Sequence, residues 1–572
     1  MTTHANPSSL LGAGGKTLSA ILRVGTTIHA WVKAADAGTP AELRASQEGR
    51  EIARLTAHNA EEFEFQTLVL DAGGETTLTY DAATTLLSVV YAFSERDVLD
   101  KGIHVLFSGE ANAAPAIPDS YHFRPPFGWM NDPNGFGRFG DKVHLFYQHY
   151  PHSLRWNTMH WGHAVSEDYL RWTHLPIFLF PSTELLARAD GRGGAFSGSA
   201  IPLAGEEPGI RVFFTEQVKD RAPEEQIQLT TISRDQITVG PAEIILPERP
   251  ADLDLTLDFR DPYVVKAPDG RWKMLLGSRD HAGGVILLYE TADLDAAGGW
   301  SFVGILHRED RFGMTAAECP CIVPLGPADD PQTRWALVFG LLTSRDPATG
   351  RRNITIATVG RFDGRSFDKE FEQELDFGTD AYALQAFVDR DGPVGIAWLA
   401  NWTDISKKID FPAAMTLPRR VLLKDGALLT PPVEAVDSLR QQLVDENRLV
   451  TGETVELGNG AVEIVLDLAV TGADFDIEFE HPEVELGLRL DHEGLSILYD
   501  VPDGKWLPRY IAMGARPSML RIFLDKGSIE VFADNGRWTG TKRLPGFEGV
   551  RSARLIAPKG NVAAASIWQL KL

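Results

Sequence analysis

The stretch His122-Phe-Arg-Pro-Pro-Phe-Gly-Trp-Met-Asn-Asp-Pro-Asn-Gly135 carries the strongest structural signal in this chain. Pro133 fixes its own φ, has no N–H, and biases Asp132 towards an extended conformation. Asn134 and Gly135 readily adopt the positive φ values of a tight hairpin. The pattern predicts a stiff turn that holds the carboxylate of Asp132 beside apolar neighbours. The simpler interpretation is a turn with a capping aspartate.

The composition indicates a large protein rich in β-strands. Its 572 residues are too many for one hydrophobic core and predict about three to four domains. The 13 Trp, 29 Phe, 53 Gly and 34 Pro favour short strands joined by many turns. The net charge of −24 argues against nucleic acid or an anionic membrane as partner, because both bind basic surfaces. It is compatible with a small neutral substrate.

Neither the N-terminus nor the cysteines point to secretion. Residues 1–15 lack the basic start and apolar run of a signal peptide, and no apolar run is long enough to span a membrane. Cys319 and Cys321 would point to opposite faces of an extended segment, so we expect no disulfide between them. We therefore predict a cytoplasmic protein. His160 and His163 have no acidic or cysteine partner at a recognised spacing, and we predict no metal site.

Turn residues and changes in composition divide the chain into segments. Short apolar runs near the N-terminus, some with the period of a half-buried strand, predict a small β-sandwich. Val433, Val436 and Leu439 have helical spacing, and strands return after them. The predicted segments are residues 1–16 (loose N-terminus), 17–110 (N-terminal β-sandwich), 111–120 (linker), 121–432 (five-bladed β-propeller), 433–448 (helical connector) and 449–572 (C-terminal β-sandwich).

Polar or charged residues recur beside strand-like runs in the central segment. The five markers Asp132, Ser197, Asp261, Glu318 and Trp398 are separated by 65, 64, 57 and 80 residues. A repeat of this size suits a four-stranded propeller blade with its loops. Five such blades would bring the markers together at a central axis.

Three of the markers are carboxylic acids in unusual local settings. Asp132 and Asp261 each precede a proline, and Glu318 has apolar neighbours. Glycoside hydrolysis needs one carboxylate at the sugar ring and one protonated carboxylic acid at the leaving oxygen. An apolar site or nearby negative charge helps that acid keep its proton. Each residue alone could be a surface or capping residue, whereas the three together predict a catalytic group.

Aromatic and amide side chains in the same segments suit the binding of a sugar. Sugar rings stack on aromatic faces, and polar groups nearby bind the hydroxyls. Arg260 could donate to such hydroxyls or simply pair with Asp261. Burial in the core is the alternative for several of the aromatic residues. The candidate substrate-binding residues are Asn131, Gln148, Trp156, Phe196, Ser197, Arg260 and Trp398.

Three ordered motifs resemble those of glycoside hydrolase family 32, the β-fructofuranosidases. They are Trp129-Met-Asn-Asp-Pro-Asn-Gly135, Phe259-Arg-Asp-Pro262 and Glu318-Cys-Pro320. The resemblance implies an all-β protein, in which a five-bladed β-propeller is followed by a β-sandwich, without a metal or cofactor. It also implies a retaining exo-β-fructosidase that hydrolyses terminal fructosyl residues of sucrose, fructooligosaccharides or fructans.

The resemblance further implies roles for individual residues. Asp132 would be the nucleophile that forms a fructosyl-enzyme intermediate, and Glu318 would act first as general acid and then as base. Asp261 would stabilise the transition state and bind fructose hydroxyls together with Arg260. The fructose subsite would be formed by Asn131, Gln148, Trp156, Phe196 and Ser197.

Two features depart from the family pattern. Family members often have an aromatic residue before Glu-Cys-Pro, and many sucrose-cleaving members have Asp after it, where this chain has Ala317 and Cys321. The preferred leaving group is therefore left open. The N-terminal domain also lies outside the common plan, and it could bind sugar, form a homo-oligomer interface or partly cover the active site.

Three other functions stay open at the level of the sequence. A fructosyltransferase of the same fold would pass the fructosyl unit to a sugar instead of water. An inverting arabinan- or xylan-acting propeller hydrolase also uses two Asp and one Glu, but the first motif and the C-terminal strands argue against it. A non-catalytic carbohydrate-binding propeller would require a damaged carboxylate set, whereas all three acids are present.

Overall fold

The computed structural model describes residues 15–118, 120–186, 192–205, 208–296, 299–403, 413–446, 449–468, 474–500, 508–556 and 562–572. Three β-rich units follow one another along the chain, and the predicted all-β architecture is confirmed. In the described ranges, no helix is long and apolar enough to cross a membrane. Residues 1–14 of the predicted loose terminus lie outside the described residues, and Gly15 and Lys16 already belong to the first strand.

The N-terminal unit is a sandwich of two antiparallel four-stranded sheets. Its elements are β1 (Gly15–Leu22), β2 (Thr26–Ala34), β3 (Ala41–Gln47), β4 (Arg50–Ala57), β5 (Glu64–Val69), β6 (Gly74–Asp81), β7 (Thr85–Ser94), α1 (Val98–Lys101) and β8 (His104–Ser108). The sheet orders are β1-β6-β3-β4 and β5-β2-β7-β8. Alternate residues of β2, such as Ile28 and Ala30, fill the sandwich core. Trp31 and Tyr91 lie on the opposite face of their sheet and pack against the next unit.

The central unit is a five-bladed propeller. Its elements are β9 (Trp129–Phe139), β10 (Lys142–Tyr150), β11 (His160–Ser166), β12 (Trp172–Leu179), α2 (Thr183–Leu186), β13 (Gly193–Pro202), β14 (Ile210–Val218), β15 (Gln226–Ser233), β16 (Glu243–Leu246), β17 (Leu255–Lys266), β18 (Trp272–Asp280), β19 (Gly283–Thr291), β20 (Ser301–Glu309), a 3-10 turn (Arg311–Gly313), β21 (Ala316–Pro324), β22 (Arg334–Leu342), β23 (Thr355–Phe362), β24 (Phe367–Glu374), β25 (Tyr382–Asp389), β26 (Gly392–Trp398), β27 (Arg419–Arg420), β28 (Leu422–Lys424) and β29 (Ala427–Leu429).

Each blade is a sheet formed by consecutive strands. Four blades have four strands, beginning at β9, β13, β17 and β21, and the fifth is β25-β26-β27. The first strands of neighbouring blades contact one another around a closed ring, including β25 with β9. The fifth blade meets the first through side chains, since Arg138 binds Asp389 at 2.7 Å and Gln385 accepts a hydrogen bond from the backbone N–H of Phe136 at 2.8 Å.

The prediction of a turn at Asp132 is wrong, because Asp132 and its neighbours lie inside strand β9. The strand bulges instead: three residues advance from Met130 to Pro133 while its partner advances by two, and Asp132 lies in the bulge. A proline is tolerated at a bulge because the hydrogen-bond ladder of the sheet does not need a backbone N–H at that position. Gly135 has φ +49, and a Cβ there would lie 2.8 Å from the ring of Phe146.

The C-terminal unit begins with a short 3-10 turn rather than the helix predicted over 433–448. The turn covers Glu434–Leu439 and buries Val436 and Leu439, which explains the helical spacing. From Arg440 the chain is a strand, because it pairs with the last strand and the Arg440 guanidinium binds the buried Glu463 at 2.6 Å. Residues 447 and 448 lie outside the described residues.

Two packed sheets form the C-terminal sandwich. Their strands are β30 (Arg440–Glu446), β31 (Leu449–Val450), β32 (Thr454–Glu456), β33 (Val462–Asp467), β34 (Phe475–Glu480), β35 (Glu485–Asp491), β36 (Gly494–Asp500), β37 (Tyr510–Met513), β38 (Met519–Asp525), β39 (Ser528–Ala533), β40 (Trp538–Arg543), β41 (Ser552–Ile556) and β42 (Val562–Leu570). The orders are β30-β42-β33-β38-β39-β40, with β31 on β42, and β32-β41-β34-β35-β36-β37.

A buried charged network joins this sandwich to both ends of the propeller chain. Glu530 accepts hydrogen bonds from His122 (2.7 Å), from the Leu417 N–H (2.8 Å) and from Arg419 (2.7 Å). The other ring nitrogen of His122 bonds Asp525 at 2.6 Å. Although burial opposes it, these two carboxylates raise the pKa of His122, and the imidazolium can donate to both. Glu530 therefore joins the segments that precede the first blade and complete the last one.

Replacing Glu530 by Gln is expected to destabilise the protein strongly. Gln keeps an acceptor but loses the charge that compensates Arg419 and His122 at a fully buried site, which typically costs about 3 kcal/mol or more. The thermal midpoint should fall well below that of the wild type. Glu478→Gln, on an exposed position of the same sandwich, is the control and should leave the midpoint unchanged. Equal midpoints for the two variants would contradict this assignment.

Candidate active site

A cavity of about 560 Å³ lies where the first strands of the blades converge. Its described lining comes from four blades and the loops beside them. The lining residues are Asn131, Asp132, Gln148, Trp156, Arg192, Gly193, Phe196, Ser197, Gln217, Lys219, Gln226, Arg260, Asp261, Glu318, Leu342 and Trp402.

Every first strand carries a β-bulge at the level of this cavity. The bulge in β9 contains Asp132, that in β13 contains Ser197, and that in β17 contains Asp261. The bulges in β21 and β25 immediately follow Glu318 and Tyr382. A bulge adds one residue to one strand and redirects the side chains around it. The five bulges therefore turn polar side chains from different blades towards one place.

Asp132 is held by one carboxylate oxygen and leaves the other unoccupied. Ser197 donates to Oδ2 at 2.9 Å, and the Cys319 thiol lies 3.7 Å from the same atom. Among the described residues, none hydrogen-bonds the buried Oδ1 of Asp132. A buried carboxylate oxygen without a partner is costly, so its presence in a cavity indicates a role towards a ligand.

Asp261 is fixed through an unusual backbone conformation. Its φ is +64, a conformation that non-glycine residues adopt at a cost of about 1 kcal/mol or more. Its N–H donates to Thr215 Oγ1 at 3.0 Å, and its Oδ2 accepts from the Cys319 N–H at 2.9 Å. Cys319 also has a positive φ of +50. Two strained residues of neighbouring blades thus hold the carboxylate in place.

Glu318 receives a hydrogen bond on each carboxylate oxygen. Arg260 donates to Oε1 at 3.3 Å, and the buried hydroxyl of Tyr382 donates to Oε2 at 2.7 Å. Burial, with the nearby Glu318, raises the pKa of Tyr382 well above its ordinary value, so the phenol stays a donor. The apolar surroundings expected from the sequence are therefore only part of the environment of Glu318, whose carboxyl is bound by a cation and a phenol.

Two of the three acids, Asp132 and Asp261, hold a proton more tightly than an ordinary aspartate does. Burial and then the charges of Glu318 and Asp261 raise the pKa of Asp132 to about 7. Burial also raises the pKa of Asp261 to about 6, although Arg260 opposes the shift. Asp132 and Asp261 therefore keep their protons to a higher pH than ordinary aspartates do.

Comparison with known proteins supports, for most of the chain, the family that the sequence motifs predict. Residues 122–432 match the family model described as the glycosyl hydrolases family 32 N-terminal domain. A sucrose-6-phosphate hydrolase of Escherichia coli is 33% identical, with 79% of this chain and 94% of that protein aligned. The chain belongs to glycoside hydrolase family 32. A raffinose invertase of Escherichia coli is 31% identical over the same shares of the two chains.

A structural match extends through all three units of the chain. The structure of a family 32 glycoside hydrolase from Bifidobacterium adolescentis matches with a TM-score of 0.83 and 21% identity. The match covers 97% of this chain and 99% of that one, so it includes the N-terminal sandwich. The predicted family and fold are therefore confirmed.

The cavity unites most of the residues predicted for the site, with one exception. The three acids line it, as do Asn131, Gln148, Trp156, Phe196, Ser197 and Arg260. Trp398 does not line the cavity. It is fully buried at the end of β26, behind Trp129 and Trp402, with ring centroids 6.0 and 5.1 Å away. Trp398 lies on the second strand of its blade, which explains the anomalous interval of 80 residues.

In the fifth blade, Tyr382 is the residue that corresponds to the markers of the other four blades, and the spacing could have revealed it. It begins the first strand of the fifth blade, 64 residues after Glu318, which equals one of the other intervals. The two departures from the family motif, Ala317 and Cys321, are buried in the propeller core and do not line the cavity. Sequence reasoning also missed a set of lining residues outside the motifs: Arg192, Gly193, Gln217, Lys219, Gln226 and Leu342.

Replacing Asp132 by Asn is expected to stabilise the folded protein near neutral pH. A folded-state pKa raised to about 7 means that the folded protein binds this proton more tightly than the unfolded chain does. Wild-type stability is therefore lost as the pH rises from about 4 to about 7. Asn cannot ionise, so the variant should melt about 2 °C or more above wild type at about pH 7.5 and together with it at about pH 4.

Asp389→Asn is the control with the opposite sign. Against the effect of burial, hydrogen bonds from Arg138 and Tyr169 lower the pKa of Asp389 to about 2. Ionised Asp389 therefore stabilises the fold above the ordinary aspartate pKa, and this variant should melt below wild type near neutral pH. The expected pattern fails if both variants shift the midpoint in the same direction at that pH.

Proposed function

We propose that this chain is a retaining exo-β-fructosidase that releases terminal β-fructofuranosyl units from sucrose, fructooligosaccharides or fructans. The observation that supports it best is the pairing of Asp132, with its unoccupied Oδ1, and Glu318 in one cavity. A nucleophile and an acid/base on the same sugar are the two groups that a retaining glycosidase needs. Membership in family 32 and the relatives named above support the same reaction.

In the first step Asp132 attacks the anomeric carbon of the fructosyl unit. Ser197 engages Oδ2, which leaves Oδ1 for bond formation. The bond from the anomeric carbon to the leaving oxygen breaks, and Glu318 transfers its proton to that oxygen. The product is a fructosyl ester of Asp132. Positive charge develops on the sugar ring in the transition state that leads to this ester.

In the second step Glu318 acts as base. It takes a proton from water, the resulting oxygen nucleophile attacks the anomeric carbon, and the bond to Asp132 breaks. Two inversions give net retention. Arg260 and Tyr382 stabilise the anionic form of Glu318 that exists between the steps. Asp261 and Arg260 bind ring hydroxyls, and the Asp261 carboxylate counters the positive charge of the transition state.

Chemical rescue separates the proposed roles of the two acids. Glu318→Ala and Asp132→Asn should each lower kcat for sucrose by about 10³-fold or more. Because an aryl β-fructofuranoside needs little help from an acid, Glu318→Ala should still form the ester with it. Azide should then restore turnover and give fructosyl azide of retained configuration, whereas Asp132→Asn should not respond in this way. Folded variants with near wild-type turnover would refute the roles.

Two cationic residues of the cavity lining favour a second, narrower substrate. Arg192 and Lys219 line the cavity together with the acids, and the Lys219 N–H donates to the Arg192 carbonyl at 3.3 Å. Two adjacent cations suit a phosphate on the departing sugar. A sucrose-6-phosphate hydrolase is among the relatives of this chain. We therefore include sucrose 6-phosphate as a proposed substrate.

Charge removal tests this substrate. Arg192→Gln and Lys219→Gln should lower kcat/KM for sucrose 6-phosphate by about tenfold, because a charge-assisted contact is lost, and should leave kcat/KM for sucrose nearly unchanged. Lys424→Gln, in an exposed turn of the propeller, is the matched control. If kcat/KM falls equally for sucrose and for sucrose 6-phosphate, the two cations do not recognise a phosphate.

Two further predictions from the sequence stay proposals. The products from concentrated sucrose decide between hydrolysis and transfer: free fructose indicates a hydrolase, and longer oligosaccharides indicate a fructosyltransferase. A cytoplasmic location is the second of these proposals.

A further inference from the structure

The N-terminal sandwich contacts the loop between β10 and β11, residues 151–159. The ring of Phe63 stacks on the ring of His152, with centroids 4.7 Å apart and planes at 28°. Ser88 Oγ lies 2.7 Å from His152 Nδ1, so the same imidazole is bound from two elements of the sandwich. Burial lowers the pKa of His152 well below its ordinary value, and the neutral ring suits an apolar stack.

The segment after the sandwich binds the same loop through its backbone. Asn112, which is 1% exposed, donates from Nδ2 to the Pro151 carbonyl at 2.6 Å. The Leu154 N–H donates to the Ala111 carbonyl at 3.0 Å. The predicted linker is therefore packed here, and the first half of the loop is fixed by residues outside the propeller.

The second half of the loop forms part of the cavity wall. Trp156 lines the cavity and meets Phe196 edge to face, with centroids 6.2 Å apart. Asn157 donates to the hydroxyl of Tyr150 at 3.4 Å. Burial and the nearby Glu62 of the sandwich raise the pKa of Tyr150 to about 12.

No described residue of the sandwich itself lines the cavity. The loop contacts the sandwich through His152 and lines the cavity through Trp156, so it connects the two. We propose that the N-terminal sandwich sets the position of Trp156 and so tunes substrate binding, with Phe63 and Ser88 as positioning residues. The inference rests on the proposed function, because it takes Trp156 as a wall of the fructoside site.

A double-mutant cycle tests the coupling between Phe63 and Trp156. Removing a contact that is equally strong in the ground and transition states raises KM and leaves kcat unchanged. Phe63→Ala should therefore raise KM for sucrose by about fivefold with little change in kcat. In a Trp156→Ala background the same substitution should have no further effect, because the residue it positions is gone. Phe63→Tyr restores an aromatic stack and should return KM to the wild-type value.

The control is Phe302→Ala, which removes an exposed aromatic ring from the outermost strand of the third blade. It should change neither KM nor kcat. If Phe63→Ala does not fold, as judged by circular dichroism, Ser88→Ala takes its place in the cycle.

Two results would overturn the inference: an equal rise of KM in both backgrounds, or an unchanged KM in the background that keeps Trp156. A wild-type protein without fructosidase activity would instead overturn the proposed function. The two failures are thus distinguishable in one set of assays.

Discussion

The extra residue in each first strand of the propeller is the constraint on which the site depends. A regular strand turns alternate side chains to opposite faces, and a ring of regular strands would scatter the polar groups of different blades. The bulges at Asp132, Ser197 and Asp261, and those following Glu318 and Tyr382, break this alternation at one level of the ring. Positive φ at Asp261, Cys319 and Ala383 is part of the cost. Function and backbone strain therefore coincide in position.

The acids could be recognised from the sequence because each one stands in a local motif. Pro262 and Pro320 lie in bulges, where a missing N–H costs nothing, and Pro133 adjoins one; the pairing of an acid with such a proline is visible without a structure. Pro133 suggested a turn, since a bulge and a turn share their residue preferences. The number of blades was also accessible, because the chain repeats at a nearly constant interval.

Contacts that depend on closure of the ring were not accessible in this way. The hydroxyl of Tyr382 reaches Glu318 only because the fifth blade follows the fourth in space, and no local motif marks it. Arg192 and Lys219 enter the cavity from the second blade for the same reason. Trp398 was wrongly predicted to bind substrate. Its aromatic neighbours resemble a surface on which a sugar ring could stack, but they bury Trp398 in the core.

The network around Glu530 has a consequence for the order in which the molecule is made. The blades are built from contiguous chain, so each can form as it leaves the ribosome. His122 and Arg419 lie at the two ends of the propeller chain, and both pair with the carboxylate of Glu530. Glu530 is synthesised more than a hundred residues after the last blade. A nascent or truncated chain that lacks β39 can therefore join the first and fifth blades through Arg138 and Asp389, but it lacks the carboxylate that pairs with both His122 and Arg419.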